Sequence, residues 1–291
     1  MRLVTLDSRE VGGRPGIFLP SGEILDLAAA PPGLTASRWR PLSVVSVLAE
    51  GEEGARRVAR LIADCESASD SQRQQWRSSG RLLPGAGTRL MPPVRRPGLL
   101  LMVTGSDGGP TACYVKNPNS AAGPDVDIPM PAGENHQLFL LGMVGLVIGR
   151  PLFRGSRAQA ARAIAALTLL GDLGTARINR GPDEGRADAR QFPGACVIGP
   201  ALVSIDEFPD DASWTLEVHI NGRAVAAGRS TLDAGRAAEV VAELSARYAF
   251  RPGDVVGLRA GIPEFELPGG SEISLGMGAM PKLTFSTSAS G

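Results

Sequence analysis

Short alternating runs of apolar and polar residues dominate the start of the chain. RLVTL, GIFLP and EILDL, within residues 2–28, are separated by turn residues such as Ser21-Gly22-Glu23, which predicts a small β-meander. Over 53–65 the period changes. EGARRVARLIADC sets Val58, Leu61 and Ile62 on one face and Arg57 and Arg60 elsewhere, the pattern of an amphipathic helix packed on those strands. The polar stretch ESASDSQRQQWRSSGRLLPGAG and the Pro-rich MPPVRRPG read as a linker. A boundary near residue 95 therefore separates a small N-terminal domain with its linker (1–95) from a second domain (96–291).

Beyond the boundary, LLLMVTG (99–105) predicts a buried strand that enters the loop Ser106-Asp107-Gly108-Gly109-Pro110, and TACYVKNP (111–118) predicts another. QLFLLGMVGLVIG (137–149) is almost wholly apolar, and its Gly142 and Gly145 favour a buried strand over a helix. SRAQAARAIAALTLL (156–170), opened by Ser156 as N-cap and closed by Gly171, predicts a helix. SWTLEVHINGRAVAAG predicts two strands joined at Asn221-Gly222. A second helix is predicted over 234–250, followed by strands in RPGDVVGL and SEISLGMGAMPKLTF. No internal repeat is apparent, and the mixture of elements is α+β.

Composition narrows the chemistry. With 43% hydrophobic and 21% charged residues, 291 residues suffice for a packed core, and no apolar run reaches the ~20 residues of a membrane span. Zero formal net charge argues against nucleic acid or anionic lipid as a partner. Three cysteines without a Cys-x-x-Cys pair, and a start lacking a long apolar segment, point to a reducing cytoplasm. The two histidines, His136 and His219, exclude a zinc site built from several imidazoles and restrict any Ser-His-Asp triad to one of them. Lys116 and Lys282 are the only lysines in an arginine-rich chain, which draws attention to Lys116.

Read in order, VIGR (147–150), GDLGTAR (171–177), FPGACVIGP (192–200), the Asn-Gly hairpin, PGDVV (252–256) and LPGGSEISLGMGAM (267–280) resemble the fumarylacetoacetate hydrolase family. The resemblance spans about residues 99–285 and implies a mixed β-sandwich roll of that family's C-terminal domain type, preceded by a small N-terminal α/β domain, in a homodimer. In that family a Glu-x-Glu pair and a later Asp hold magnesium or manganese, which polarises a diketone substrate. Here the pair falls on Leu141 and Met143, and Asp172 alone is kept. A single carboxylate beside a thioether holds a hard cation poorly, so the expectation is no metal, with Mg2+ or Mn2+ as the alternative. The family's "GxNYxxH"-like loop corresponds to Met102–Gly109, without its His. Lys116 matches the Lys of "FLKPP", and Arg190 stands at the Lys of "KSFDTFxPLGP". The "TGTP" loop becomes Arg259-Ala260-Gly261-Ile262-Pro263, and Arg177 matches the Arg of "NDVSARD" if one residue is inserted.

Two readings stand beside each other for each candidate. Asp172 is either a general base tuned by an apolar pocket with Leu141 and Met143, or the last residue of a helix paired with a nearby Arg. Arg190, Arg177 and Arg180 are either a carboxylate fork or a solvated face, with Arg190 favoured for the fork. Lys116 either holds a keto oxygen or enolate or makes an ion pair. Ser106 and Asp107 are polar contacts or an ordinary turn, His136 is a proton shuttle at the pocket mouth or an exposed loop residue, and Tyr114 lines the cleft. Arg259 belongs to the altered loop, His219 is structural, and Cys196 is an inert buried thiol.

Three functions follow. The first is a metal-independent enzyme using Asp172, Arg190 and Lys116 on a small β-dicarbonyl, enol or polyketide-like substrate (a lyase, decarboxylase, dehydratase or cyclase) in specialised metabolism. The second is a metal-dependent hydrolase of a carbon–carbon bond in an acylpyruvate-like acid, with Glu134 and Asp172 as ligands. The third is a non-catalytic scaffold or binding protein.

Overall fold

The alternating N-terminal runs form β1 (Arg2–Leu6), β2 (Arg14–Phe18) and β3 (Glu23–Asp26), an antiparallel meander as expected. Helices α1 (Val44–Ala49), α2 (Glu52–Ser67) and α3 (Asp70–Ser78) follow, then β4 (Leu82–Pro84) and β5 (Leu90–Met91). The computed structural model describes residues 1–8, 12–34, 38–105, 111–129, 136–177, 188–209, 213–227 and 232–288. The stretch read as a linker is thus partly structured. Ser69 and Gln72 cap α3 reciprocally, and Trp76 is its buried anchor. A helix with one buried residue carries too weak an apolar stripe to show as a period.

The second part contains β6 (Leu100–Val103), β7 (Cys113–Val115), β8 (Ala121–Ala122), β9 (Asp127–Ile128), the long β10 (His136–Ile148), α4 (Arg157–Ala163) and β11 (Ile164–Arg177). It continues through β12 (Cys196–Ser204), β13 (Glu217–Ile220), β14 (Arg223–Ala227), α5 (Ala234–Ser245), β15 (Val255–Arg259), β16 (Phe265–Leu267), β17 (Glu272–Gly276) and β18 (Leu283–Thr287). The hairpin between β13 and β14 turns at Asn221 and Gly222, both at positive φ (51° and 74°), the backbone that Asn-Gly supplies at low cost. The helix predicted over 234–250 ends at Ser245.

The helix predicted over 156–170 is corrected more deeply. Ser156 and Gln159 do cap a helix, but it stops at Ala163, and from Ile164 the chain runs extended as β11. The reason is burial on both sides. Between β10 and β12, a strand with both faces covered reads as unbroken apolar sequence, and ladder hydrogen bonds outweigh the helix propensity of alanine. Asp172 therefore lies within a strand and not at the end of a helix.

A 13-stranded sheet runs β4-β3-β2-β1-β12-β11-β10-β15-β6-β7, with β5, β8 and β16 attached, and a 5-stranded sheet runs β14-β13-β17-β18-β9. Strand β1 pairs with β12 (Leu3 opposite Leu202), so strands from both sides of residue 95 share one sheet. The β10–β11 ladder, from His136 opposite Arg177 to Ile148 opposite Ile164, is its spine. One face (Leu138, Leu140, Val144, Leu146) joins a core with Leu216, Val218, Leu275 and Phe285 of the smaller sheet and its flanks. The other face (Leu141, Met143, Val147) joins a core with Leu3, Ile17 and Leu25 and with Val58, Leu61 and Cys65 of α2. Among the described residues no helix is long and apolar enough to cross a membrane.

Glu23 of β3 ties α3 to the sheet, accepting from Arg77 Nε at 2.6 Å and Arg73 Nη2 at 2.8 Å. The Arg77 hydrogen bond outweighs desolvation and, with Arg73, holds the Glu23 carboxyl down to about 2. A depressed carboxyl stabilises the fold fully above its unfolded value and loses that contribution as pH falls toward 2. Glu23→Gln should therefore cost about 1 kcal/mol in urea unfolding at pH 7 and progressively less between pH ~4.5 and ~2.

Candidate active site

Four residues singled out in the sequence meet at one carboxylate. Strand β11 sets Asp172 opposite Leu141 on β10 and Cys196 on β12, with its side chain completely buried. The edge strand β7 carries Tyr114, and Lys116 directly follows it. Tyr114 and Lys116 are two residues apart and share a face, and Val115 between them is exposed, as strand alternation requires. Lys116, 0% exposed, donates from Nζ to Asp172 Oδ1 and to the carbonyl of Leu173 at 3.2 Å. The Tyr114 hydroxyl donates to Asp172 Oδ2. Arg190, at the end of the 3-10 turn Asp188–Arg190, donates from Nη1 to the same oxygen at 2.9 Å.

Asp172 is thus not alone in an apolar pocket. It is a buried carboxylate fully engaged by two cations and a phenol, while Leu141 and Met143 belong to the same core. Burial raises the Tyr114 phenol and the charge of Asp172 raises it further, so this hydroxyl stays protonated as a donor. For Arg190 burial acts downward, but the charge of Asp172, with Tyr114 and Glu264, outweighs it and the guanidinium is held charged. Burial pushes the Cys196 thiol up to about 12, in keeping with an inert thiol.

Three contributors escape sequence reading. Arg190 Nη2 donates to Glu264, just past the loop Arg259–Pro263. Gln191 accepts from the Asn117 amide at 2.6 Å and donates to the Val115 carbonyl at 3.2 Å, fastening the Arg190 segment to either side of Lys116. Gly174 leaves room for the guanidinium, because a Cβ there would lie 2.9 Å from Arg190 Cζ. Only proximity in sequence to Arg190 and to Pro263 hints at the first two.

The remaining candidates fall elsewhere. Arg259 lies opposite Met143 and donates to the carbonyls of Thr104 at 3.4 Å and Ile262 at 3.3 Å. His136 begins β10 and Arg177 ends β11 directly opposite it, but their side chains lie outside the described residues, as do Ser106, Asp107, Glu134 and Arg180 altogether. His219 lies in the 5-stranded sheet, opposite Ser274.

The fumarylacetoacetate (FAA) hydrolase C-terminal family matches residues 104–273, more than half of the chain. The chain belongs to this family. Its resemblance to the fumarylacetoacetate hydrolases, read from ordered motifs, and its mixed α+β fold are both upheld. Maleylpyruvate hydrolase from Sphingobium sp. SYK-6 superimposes over 100% of both chains with TM-score 0.73 at 19% identity, and its complex with manganese(II) and pyruvate superimposes with TM-score 0.69. The 2-hydroxyhepta-2,4-diene-1,7-dioate isomerase from Mycobacterium marinum is 25% identical with TM-score 0.62, over 73% of this chain and 82% of the other. An uncharacterized protein from Staphylococcus haemolyticus (strain JCSC1435) is 25% identical over 164 residues, 54% of each chain. The chain spans about half the length of the curated relatives it matches.

Manganese in a related hydrolase poses the question of fit. Among the described residues no group of three His, Cys, Asp or Glu side chains is placed to hold a metal. At the position that the resemblance assigns to the cation, Asp172 is the carboxylate, its oxygens already accept from Lys116, Tyr114 and Arg190, and its strand neighbour on β10 is Leu141. A hard divalent cation needs several free oxygens and no ammonium among them, so the donor set among the described residues does not fit it.

The cluster should behave as one coupled unit in unfolding measurements. Asp172→Asn leaves the buried Lys116 ammonium without a carboxylate, while Arg190 keeps Glu264, and should cost about 3–5 kcal/mol. Lys116→Met should cost less, because Asp172 keeps Arg190 and Tyr114. Combining the two should cost less than the sum of the single changes, read as a double-mutant cycle in urea.

Proposed function

We propose that this family member is an enzyme acting without a divalent cation on a small enolisable β-dicarbonyl, enol or polyketide-like compound, through proton transfer next to a carbonyl. The carrying observation is the Lys116–Asp172–Arg190 cluster with Tyr114, in which two fixed cations surround a carboxylate whose outer members are partly exposed. Family membership and neighbours that include a hydrolase and an isomerase support an enzyme of this fold.

The chemistry follows from the placement of protons. The Tyr114 oxygen takes a proton from the carbon next to the substrate carbonyl while the phenolic proton passes to Asp172 Oδ2. The C–H bond breaks, its electron pair becomes the enolate, and one negative charge moves from Asp172 to the substrate oxygen. Lys116 and Arg190 keep their charges throughout. The field of these two cations is then available to the enolate, and preorganised cations act strongly on developing charge. Return of the proton at another carbon is isomerisation, whereas departure of a β-substituent with its bonding electron pair is a lyase reaction. A cytoplasmic homodimer in specialised metabolism completes this reading, resting on family membership and composition.

A screen of 1,3-dicarbonyl and 2-oxo acid substrates tests it. Turnover should survive dialysis against a chelator and fall about 100-fold or more in Arg190→Ala and Tyr114→Phe, the scale of a lost oxyanion or proton-transfer group. Stoichiometric magnesium or manganese in protein purified without chelator, with activity lost on its removal, would establish the metal-dependent carbon–carbon hydrolase instead. Absence of turnover across the screen, with cluster variants altering stability alone, would favour a non-catalytic binding role.

A further inference from the structure

The Arg190 guanidinium faces two carboxylates at once. Nη1 points inward to Asp172, and Nη2 points outward to Glu264 Oε1. The two differ in their surroundings. Asp172 is 0% exposed, Arg190 17% and Glu264 38%, so the outer pair lies where the cluster meets solvent. Glu264 sits between Pro263 and β16, whose Phe265 is anchored opposite Leu140, so the side chain can swing away without disturbing the ladder.

We propose that Glu264 occupies a carboxylate subsite at the solvent-facing end of this cluster, and that a small 2-oxo or β-keto carboxylate binds by taking its place on Arg190 Nη2. The proposal rests on reading the cluster as a substrate site, and it deepens that reading by naming the anionic group of the ligand. Charge decides the ligand class. Lys116 and Arg190 balance Asp172 and Glu264, so exchanging Glu264 for a ligand carboxylate keeps the cluster neutral. A neutral ligand that displaced Glu264 would leave one excess positive charge in a partly desolvated site, which costs energy. Glu264 therefore sets both selectivity, monoanions over neutral diketones, and affinity, through the ion pair that must first open.

Ligand-observed NMR titration with pyruvate as the carboxylate probe and acetylacetone as the neutral probe tests this on the full chain. Glu264→Ala should bind pyruvate about fivefold more tightly than the unaltered protein, the equivalent of about 1 kcal/mol for a partly exposed pair. Acetylacetone binding should stay the same, and Glu264→Gln should fall between the two for pyruvate. Glu266→Gln, which alters a carboxylate paired with Gln137, should change neither. Pyruvate affinity unchanged in both Glu264 variants overturns the exchange while leaving the proposed enzyme intact. Equal gains for both probes overturn the selectivity for carboxylates. No pyruvate binding by any variant overturns the subsite, and the substrate screen then decides separately whether the cluster is a substrate site at all.

Discussion

An ammonium and a carboxylate, each without solvent access, are paired at the end of a sheet core, and the surrounding structure answers to that pair. Taking either charge out of water costs several kcal/mol, which only good geometry and complete hydrogen bonding offset. Lys116 has the Asp172 carboxylate and the Leu173 carbonyl, and Asp172 has three donors. Each donor demands something of the fold. Strand β7 and the residue after it must hold Tyr114 and Lys116 on the same side, Gln191 must hold the Arg190 segment against that strand, and residue 174 must lack a Cβ.

The cluster also forms a gradient from dry to wet. Its innermost members are sealed, Arg190 and Tyr114 are partly accessible, and Glu264 reaches solvent. Charges interact more strongly at the dry end and exchange partners more easily at the wet end, because screening falls with burial. An ion pair that opens at the surface while its inner counterpart stays closed suits ligand exchange better than either a wholly buried or a wholly exposed pair.

Much of the strand architecture was legible because its signals are local. The N-terminal alternation, the apolar β10 run and the Asn221-Gly222 turn each act over a few residues. The failures were equally physical. Ser156 and a run of alanines announce a helix correctly, yet nothing nearby says that strands will cover both faces from Ile164 onward. The polar stretch holding α3 hid a helix whose packing rests on Trp76. At the site, Lys116 stood out by rarity, Asp172, Lys116 and Arg190 by family resemblance and Tyr114 by strand alternation, but the nature of their association did not. Asp172 read as a carboxylate among apolar side chains because Leu141 and Met143 are what the aligned motif displays.

The sequence by itself determined four of the cluster's residues, the family and the short-range elements, since these depend on residue identity and on spacings of a few positions. Which charges meet was decided by tertiary structure alone. Asp172 lies 56 residues from Lys116 and 18 from Arg190, and Arg190 lies 74 from Glu264. Such separations close only when strand pairing and sheet order bring distant segments together, and no local propensity encodes that closure.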